Sequence, residues 1–280
     1  FPPILVLGAT GRIGRILRLC WSGEPVRWQC RRPERGADWV RFDPLRDPAE
    51  LARAADGCAV ILNLAGVVPG RETGGTGALE DTTGLALAAI RAAAAGGARV
   101  LLSSSAAVYG NLAGVVSEDM AAPVSEYGRA KRDMELRAAE LADRMGVPVT
   151  ALRIGNVAGL DAALGGWQPG FRLDRFPDGR TPLRSYIGPK TLARVLGDLC
   201  AAPGLPDVLN VAAPEPVEMG ALLRAAGLDW NPRPASETAI PQVHLSTTRL
   251  SRFTRFSQHD SLPAQMVAEW RALEPDMDKS

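Results

Sequence analysis

The stretch LGATGRIG, residues 7–14, decides the fold. It follows directly on the apolar run Ile4, Leu5, Val6 and sets Gly8, Gly11 and Gly14 ahead of a helical spacing of Ile13, Ile16, Leu17 and Cys20. A strand, a glycine turn and a helix in that order let the backbone turn tightly and approach an anion closely, while the amides at the helix N-terminus receive it. The G-x-x-G-x-x-G spacing is one residue longer than the commoner G-x-G-x-x-G. Its place between a strand and a helix favours nucleotide binding over a merely tight turn.

Working outward, apolar runs occur at 4–8, 26–30, 59–66, 99–108 and 147–157. They are apolar at nearly every position and not at alternate ones, which a parallel sheet covered on both faces demands. Between them lie helical patterns. DPAELARAADG has Asp47 as N-cap and Pro48 at the first helical position, and the Ala-rich TTGLALAAIRAAAAGG closes on Gly96 and Gly97, suited to a C-cap. Repetition of strand, helix and strand predicts an α/β fold, a Rossmann-like doubly wound parallel sheet. After about Asn156 the pattern breaks into a Gly- and Pro-rich stretch, followed by helices near 190–202 and 217–226, a strand near 208–211 and a weakly patterned tail. The expected organisation is a nucleotide-binding domain over 1–157, rejoined by about 189–212, with a small substrate-binding lobe from 158–188 and 213–280.

Of the 280 residues, 46% are hydrophobic and 22% charged, with a net charge of +1. No basic excess or stripe suggests nucleic acid, so small-molecule partners are expected. Cys20, Cys30, Cys58 and Cys200 are far apart without C-x-x-C spacing, and three of them sit in apolar surroundings, which predicts buried free thiols and suits a reducing cytoplasm. The opening residues run straight into a strand and leave no room for a signal peptide. The longest apolar stretch, 84–100, is broken by Arg91, Gly96, Gly97 and Arg99, short of the roughly 20 residues of a membrane span. His244 and His259 have no matching ligand array, so no metal site is expected. Trp167, Phe171 and Phe176 suit either packing or the lining of a substrate loop.

A dinucleotide site that selects NAD places an acid about 20 residues beyond its glycines, on the adenosine ribose 2′-hydroxyl, whereas a 2′-phosphate calls for arginine. That window here reads Trp28, Gln29, Cys30, Arg31, Arg32, with no acid before Glu34. Guanidinium forks grip a dianionic phosphate that a carboxylate repels, so NADP is expected over NAD. Arg12, inside the glycine turn, is a candidate for the same phosphate.

A second group is SSSAAVYG at 103–110 followed by SEYGRAK at 125–131. Tyr127 and Lys131 are four apart and share one helix face. For a phenol of ordinary pKa near 10 to shuttle protons near pH 7 it needs about 4 kcal/mol of differential stabilisation. A neighbouring ammonium supplies such a field, and a serine hydroxyl at the end of the fourth strand can hold the substrate oxygen against the phenol.

Glycine turn, serine strand end and Tyr-x-x-x-Lys, in that order, resemble the short-chain dehydrogenase/reductase superfamily. Within it they resemble the extended branch, the NAD-dependent epimerase/dehydratase family, over roughly residues 4 to 212. By this resemblance Ser105, aligned on V-Y-G, Tyr127 and Lys131 are catalytic. It also implies cofactor contacts from Gly8, Gly11, Arg12, Ile13 and Gly14, from Asp43 and Leu45 of FDPLRD, and from Leu64, Ala65 and Gly66 of NLAG. Ser103 and Ile154 complete that set, and Glu135 occupies its usual helix position. Substrate contacts are implied for Val67, Ser105, Asn156 and Arg184. Two departures stand out. Asp81 occupies a position where family members carry Asn, and the segment between Gly159 and Arg184 is short for a full nucleotide-sugar pocket.

The resemblance implies an NAD(P)-dependent oxidoreductase or epimerase acting on a sugar or nucleotide-sugar alcohol or ketone. It also implies a homodimer through the two long helices near 80–96 and 125–145. The alternative from another class is a dinucleotide-sensing regulator without turnover, which the combined presence of Ser105, Tyr127 and Lys131 argues against.

Overall fold

The computed structural model describes residues 2–34, 36–66 and 77–277. The first half alternates strand and helix: β1 (Ile4–Leu7), α1 (Arg12–Cys20), β2 (Val26–Cys30), β3 (Trp39–Arg41), α2 (Pro48–Ala55), β4 (Val60–Asn63), α3 (Gly77–Gly96) and β5 (Arg99–Ser105). A 3₁₀ turn (Ala106–Tyr109) leads to β6 (Gly114–Val116), α4 (Glu126–Met145), β7 (Val149–Ile154) and β8 (Asn156–Val157). The second half contains β9 (Arg172–Arg175), β10 (Leu183–Arg184), β11 (Tyr186–Ile187), α5 (Pro189–Ala201) and β12 (Val208–Val211). It ends with β13 (Val217–Glu218), α6 (Met219–Ala225), β14 (Asn231–Pro234), β15 (Gln242–Leu245) and α7 (Pro263–Met277).

Seven strands form one sheet in the order β12-β7-β5-β4-β1-β2-β3, and every pairing in it is parallel. The unbroken apolar runs follow from this arrangement, because successive residues of a strand face opposite layers. Ile4 and Val6 enter the core that also holds Ile16, Leu17, Leu192 and Leu196 from α1 and α5. Leu5 and Leu7, one step out of phase, enter the core built with Leu51, Ile90 and Met134 from α2, α3 and α4. The order reverses between β1 and β4, and at such a switch point in a doubly wound sheet a crevice opens at the carboxyl ends of the strands.

The remaining strands are short. Four form a mixed sheet in the order β13-β10-β15-β6, and the pairs β11–β8 and β14–β9 stand beside it. β6 comes from the first half of the chain yet pairs with β15 of the tail, so the second sheet is assembled from distant segments. The tail, weakly patterned in sequence, folds into α7, which packs against α5 and α6. Buried Glu269 on α7 accepts the Thr191 backbone N–H at 2.9 Å and its hydroxyl at 2.8 Å, capping the first turn of α5. Cys30, Cys58 and Cys200 are buried and Cys20 is exposed, all four as free thiols. No helix among the described residues is long and apolar enough to cross a membrane.

Candidate active site

The glycine turn heads a cleft at the carboxyl ends of β1, β4, β5 and β7. Gly8 has φ +76°, and a Cβ there would lie 2.7 Å from the Ala65 backbone, so only glycine lets the β1 and β4 ends approach. α1 opens on Gly11 with no side-chain cap and no acidic residue in its first turn. A helix N-terminus so arranged offers unopposed amides and a favourable dipole to an anion, and this fits the pyrophosphate of a dinucleotide. Gln29, 3% exposed in the middle of an apolar strand, accepts from the Gly8 N–H at 3.0 Å. The same amide donates to the Phe42 carbonyl at 2.7 Å. Gln29 thus fixes the turn against β2 and β3.

The proton-handling groups converge from β5 and α4. Ser125 caps α4 by accepting from the Gly128 N–H at 3.0 Å. A Cβ on Gly128 would stand 2.4 Å from the Ala107 carbonyl oxygen, so the first turn of α4 lies directly on the 3₁₀ turn that follows Ser105. That contact sets the Ser105 hydroxyl beside the Tyr127 phenol, whose pKa it pulls down. Lys131 lies one turn further along α4, its Nζ 5.8 Å from the Tyr127 ring centroid, and it donates to the Ser103 carbonyl at 2.7 Å. Burial pulls its pKa from 10.5 to about 8, against the opposing influence of Glu135.

The phenol differs from the sequence expectation. Burial pushes Tyr127 above its ordinary 10.0, against the Ser105 hydroxyl and the charge of Arg12, which pull it down. In the protein without ligand, desolvation therefore outweighs both. Lys131 faces the ring and is itself desolvated, which weakens the expected effect of a simple ammonium beside the hydroxyl.

A buried network supports this triad from behind. Glu135, two turns beyond Tyr127 on α4, accepts from the Ser104 hydroxyl at 2.6 Å and from Arg153 at 2.9 and 2.8 Å. Arg153 is 1% exposed and also donates to the Tyr109 hydroxyl and to the Glu118 and Met120 carbonyls. Burial raises the Glu135 carboxyl, but its bonds from Arg153, Ser104 and Arg132 outweigh that and hold it below the ordinary value. Ser104 is thereby pinned between the Ser103 carbonyl that holds Lys131 and the Ser105 hydroxyl that meets Tyr127.

The cleft brings together Gly8, Gly11, Arg12, Ile13 and Gly14 of the turn, Leu64 and Gly66 after β4, and Ser103, Ser105, Tyr127 and Lys131. Ile154 and Asn156 complete the set that the sequence had marked. Ala65 follows Leu64 without lining the cleft, its N–H bound to Asn63 Oδ1 at 3.1 Å. Arg31 and Arg32 are exposed just past β2. Asp43 accepts from the Leu45 N–H at 3.0 Å in a local turn, with Leu45 40% exposed. Val67 lies outside the described residues.

Two arginines have partners that the sequence did not suggest. Arg184 is half-buried on β10 and absent from the cleft wall. Pairing with β15 turns its guanidinium onto the Leu183 and Ile240 carbonyls, to which Nη1 and Nη2 donate at 2.7 and 2.9 Å. Arg12 is directed away from the end of β2 and donates to the Leu160 carbonyl at 2.7 Å, across the cleft on the β7 side. Sequence reasoning had passed over Leu160 and Asp161, which line the cleft. Asp161 accepts from the buried Tyr186 hydroxyl at 2.7 Å and from the Ala163 N–H at 2.9 Å. Gln29 and Arg153 were also missed, although each left a signal: a polar or charged residue within an otherwise apolar strand.

A doubly wound sheet with a glycine turn at its switch point and a Ser-Tyr-Lys group on the adjacent strand and helix defines an extended short-chain dehydrogenase/reductase. The model of the NAD dependent epimerase/dehydratase family matches residues 4–166, more than half of the chain. The chain belongs to that family. No curated protein sequence matches it. Among solved structures, it superposes on UDP-N-acetylglucosamine 4-epimerase from Methanobrevibacter ruminantium, in complex with UDP-N-acetylmuramic acid, with TM-score 0.76 and 18% identity over 98% of this chain and 99% of that one. UDP-glucuronic acid 4-epimerase from Bacillus cereus, in complex with NAD, gives TM-score 0.74 and 19% identity over 97% and 98%. A short-chain dehydrogenase/reductase superfamily protein from Agrobacterium tumefaciens with bound NAD gives 0.70 and 20% over 98% and 99%. At these identities the likeness is one of fold.

Proposed function

We propose that the protein is an NAD(P)-dependent oxidoreductase or epimerase that acts at an alcohol or ketone carbon of a sugar or nucleotide sugar. The observation that carries this reading is the meeting of Ser105, Tyr127 and Lys131 in the cleft that the glycine turn heads. The nicotinamide, when bound, supplies a hydride acceptor or donor.

In the alcohol-to-ketone direction Tyr127 takes the substrate hydroxyl proton onto its phenolate oxygen, and in reverse it returns that proton. Ser105, beside the phenol in the cleft, orients the substrate oxygen. Lys131, fixed by the Ser103 carbonyl, supplies positive charge along the proton path and a donor for the nicotinamide ribose. Asn156 and Asp161, on the opposite wall, offer an amide and a carboxylate to sugar hydroxyls. The UDP-sugar ligand of the Methanobrevibacter enzyme, on a chain of the same architecture, supports the nucleotide-sugar class.

Arg31 and Arg32 follow β2 with no acid between them and the strand, which supports acceptance of a 2′-phosphate and hence of NADP. Net reduction draws on such a pool, whereas epimerisation returns the hydride within one bound cofactor. The free thiols suit a reducing, cytoplasmic setting.

The test is Tyr127→Phe assayed on a panel of UDP-sugars, followed by nicotinamide absorbance and by product chromatography. Turnover is expected to fall by about 10²–10⁴-fold, the usual contribution of a general acid–base, with dinucleotide binding retained. A loss of less than about tenfold would remove Tyr127 from the chemistry.

A further inference from the structure

We propose that Arg12 serves the reactive half of the cleft, binding the dinucleotide pyrophosphate and fastening the 158–166 loop over it, and that it is not a ligand of the 2′-phosphate. The inference rests on the dinucleotide reading given above. Its first ground is direction. In a doubly wound sheet the adenosine ribose lies at the end of the strand after the first helix, which here is β2, on one side of β1. Arg12 is the first residue of α1, and its side chain runs the other way, past β1 toward the β7 side, to the Leu160 carbonyl 148 residues later in sequence.

The second ground is what the guanidinium spans. Arg12 and Leu160 line opposite walls of the cleft that also holds Tyr127, so the 2.7 Å bond between them bridges its mouth. A pyrophosphate received by the uncapped amides of α1 would meet that guanidinium. A guanidinium carries five N–H groups in a planar fork suited to phosphate. Those of Arg12 beyond the bond to Leu160 meet no other protein acceptor among the described residues. The same charge acts on the Tyr127 phenol and favours its ionised form, which places Arg12 within electrostatic reach of the acid–base centre.

The third ground is the loop. Asp161, next to Leu160, accepts from the backbone of Ala163 and from the buried Tyr186 hydroxyl, so this turn is a pre-formed piece of the substrate wall. A cation bonded to both cofactor phosphate and Leu160 carbonyl ties that wall to the bound cofactor and steadies it.

The experiment compares wild type, Arg12→Met and Arg12→Lys by calorimetric titration with ADP-ribose, which carries the pyrophosphate, and with 2′-AMP, which carries the 2′-phosphate and no 5′-phosphate. Arg12→Met is expected to weaken ADP-ribose at least tenfold and 2′-AMP less than threefold, with Arg12→Lys in between for ADP-ribose. ADP-ribose should also slow amide hydrogen exchange in 158–166 in wild type and not in Arg12→Met. Loss confined to 2′-AMP, or no loss in either ligand from a folded variant, would overturn the inference while leaving the dinucleotide reading intact. A wild type that binds neither ligand would instead overturn that reading and this one with it.

Discussion

Replacing Lys131 with Met separates what the buried cation costs the fold from what it gives the chemistry. The side chain is 3% exposed, and burial pulls its pKa from 10.5 to about 8 despite the opposing charge of Glu135. A fall of that size disfavours the folded state by about 3 kcal/mol at neutral pH, where both folded and unfolded chains carry the charge. Between about pH 8 and 10.5 the folded protein has released a proton that the unfolded chain still holds. The unfolded state then binds more protons, so stability rises with pH across that window.

Met fills a similar volume without charge, but it leaves the Ser103 carbonyl without its 2.7 Å donor, a loss of about 1–3 kcal/mol. At pH 7 the two effects nearly cancel, and the variant should be as stable as wild type or more stable by up to about 2 kcal/mol. By pH 9.5 most of the cation's cost has gone from wild type, so the difference should move by about 2 kcal/mol in favour of wild type. Urea unfolding of both proteins at pH 7 and 9.5, with equal slopes confirming comparable unfolded states, measures this directly. A difference constant to within about 0.5 kcal/mol would refute the claim of a desolvated ammonium at Lys131. The same ionisation sets the activity profile: kcat/KM of the free enzyme should decline as pH rises through about 8, when the charge is lost.

Two further outcomes follow from the surrounding structure. Arg153→Met strands the Glu135 carboxylate, which is 5% exposed and takes two bonds from that guanidinium. Urea or thermal unfolding should show a loss of about 3–5 kcal/mol, partly recovered when Glu135→Gln is added, and an additive double variant would dismiss the pair as a unit. Arg31→Ala with Arg32→Ala should weaken NADPH by at least tenfold more than NADH in fluorescence titration, and equal losses would return both arginines to a solvated surface role.

The parts of the molecule legible in sequence are those fixed by local rules. β1, β4 and β5 announce themselves because strands buried on both faces are apolar through their middles, and the turn at Gly8 does so because the Ala65 backbone excludes any side chain. Tyr127 and Lys131 are legible for a similar reason, since four residues on a helix set them on one face. What stayed hidden depends on which segments meet in space. β6 pairs with a strand more than 120 residues later, and strands of three and four residues carry too little periodicity to reveal such a partner. The destinations of the arginines are the sharpest instance. Arg12, Arg153 and Arg184 are equivalent as letters, each a long cation beside an apolar stretch. Burial sends Arg153 to a carboxylate. Strand pairing sends Arg184 to backbone carbonyls, and the 158–166 loop gives Arg12 an acceptor across the cleft. A guanidinium's partner is the acceptor that folding brings within about 3 Å of it, so a motif can place the residue without naming that partner.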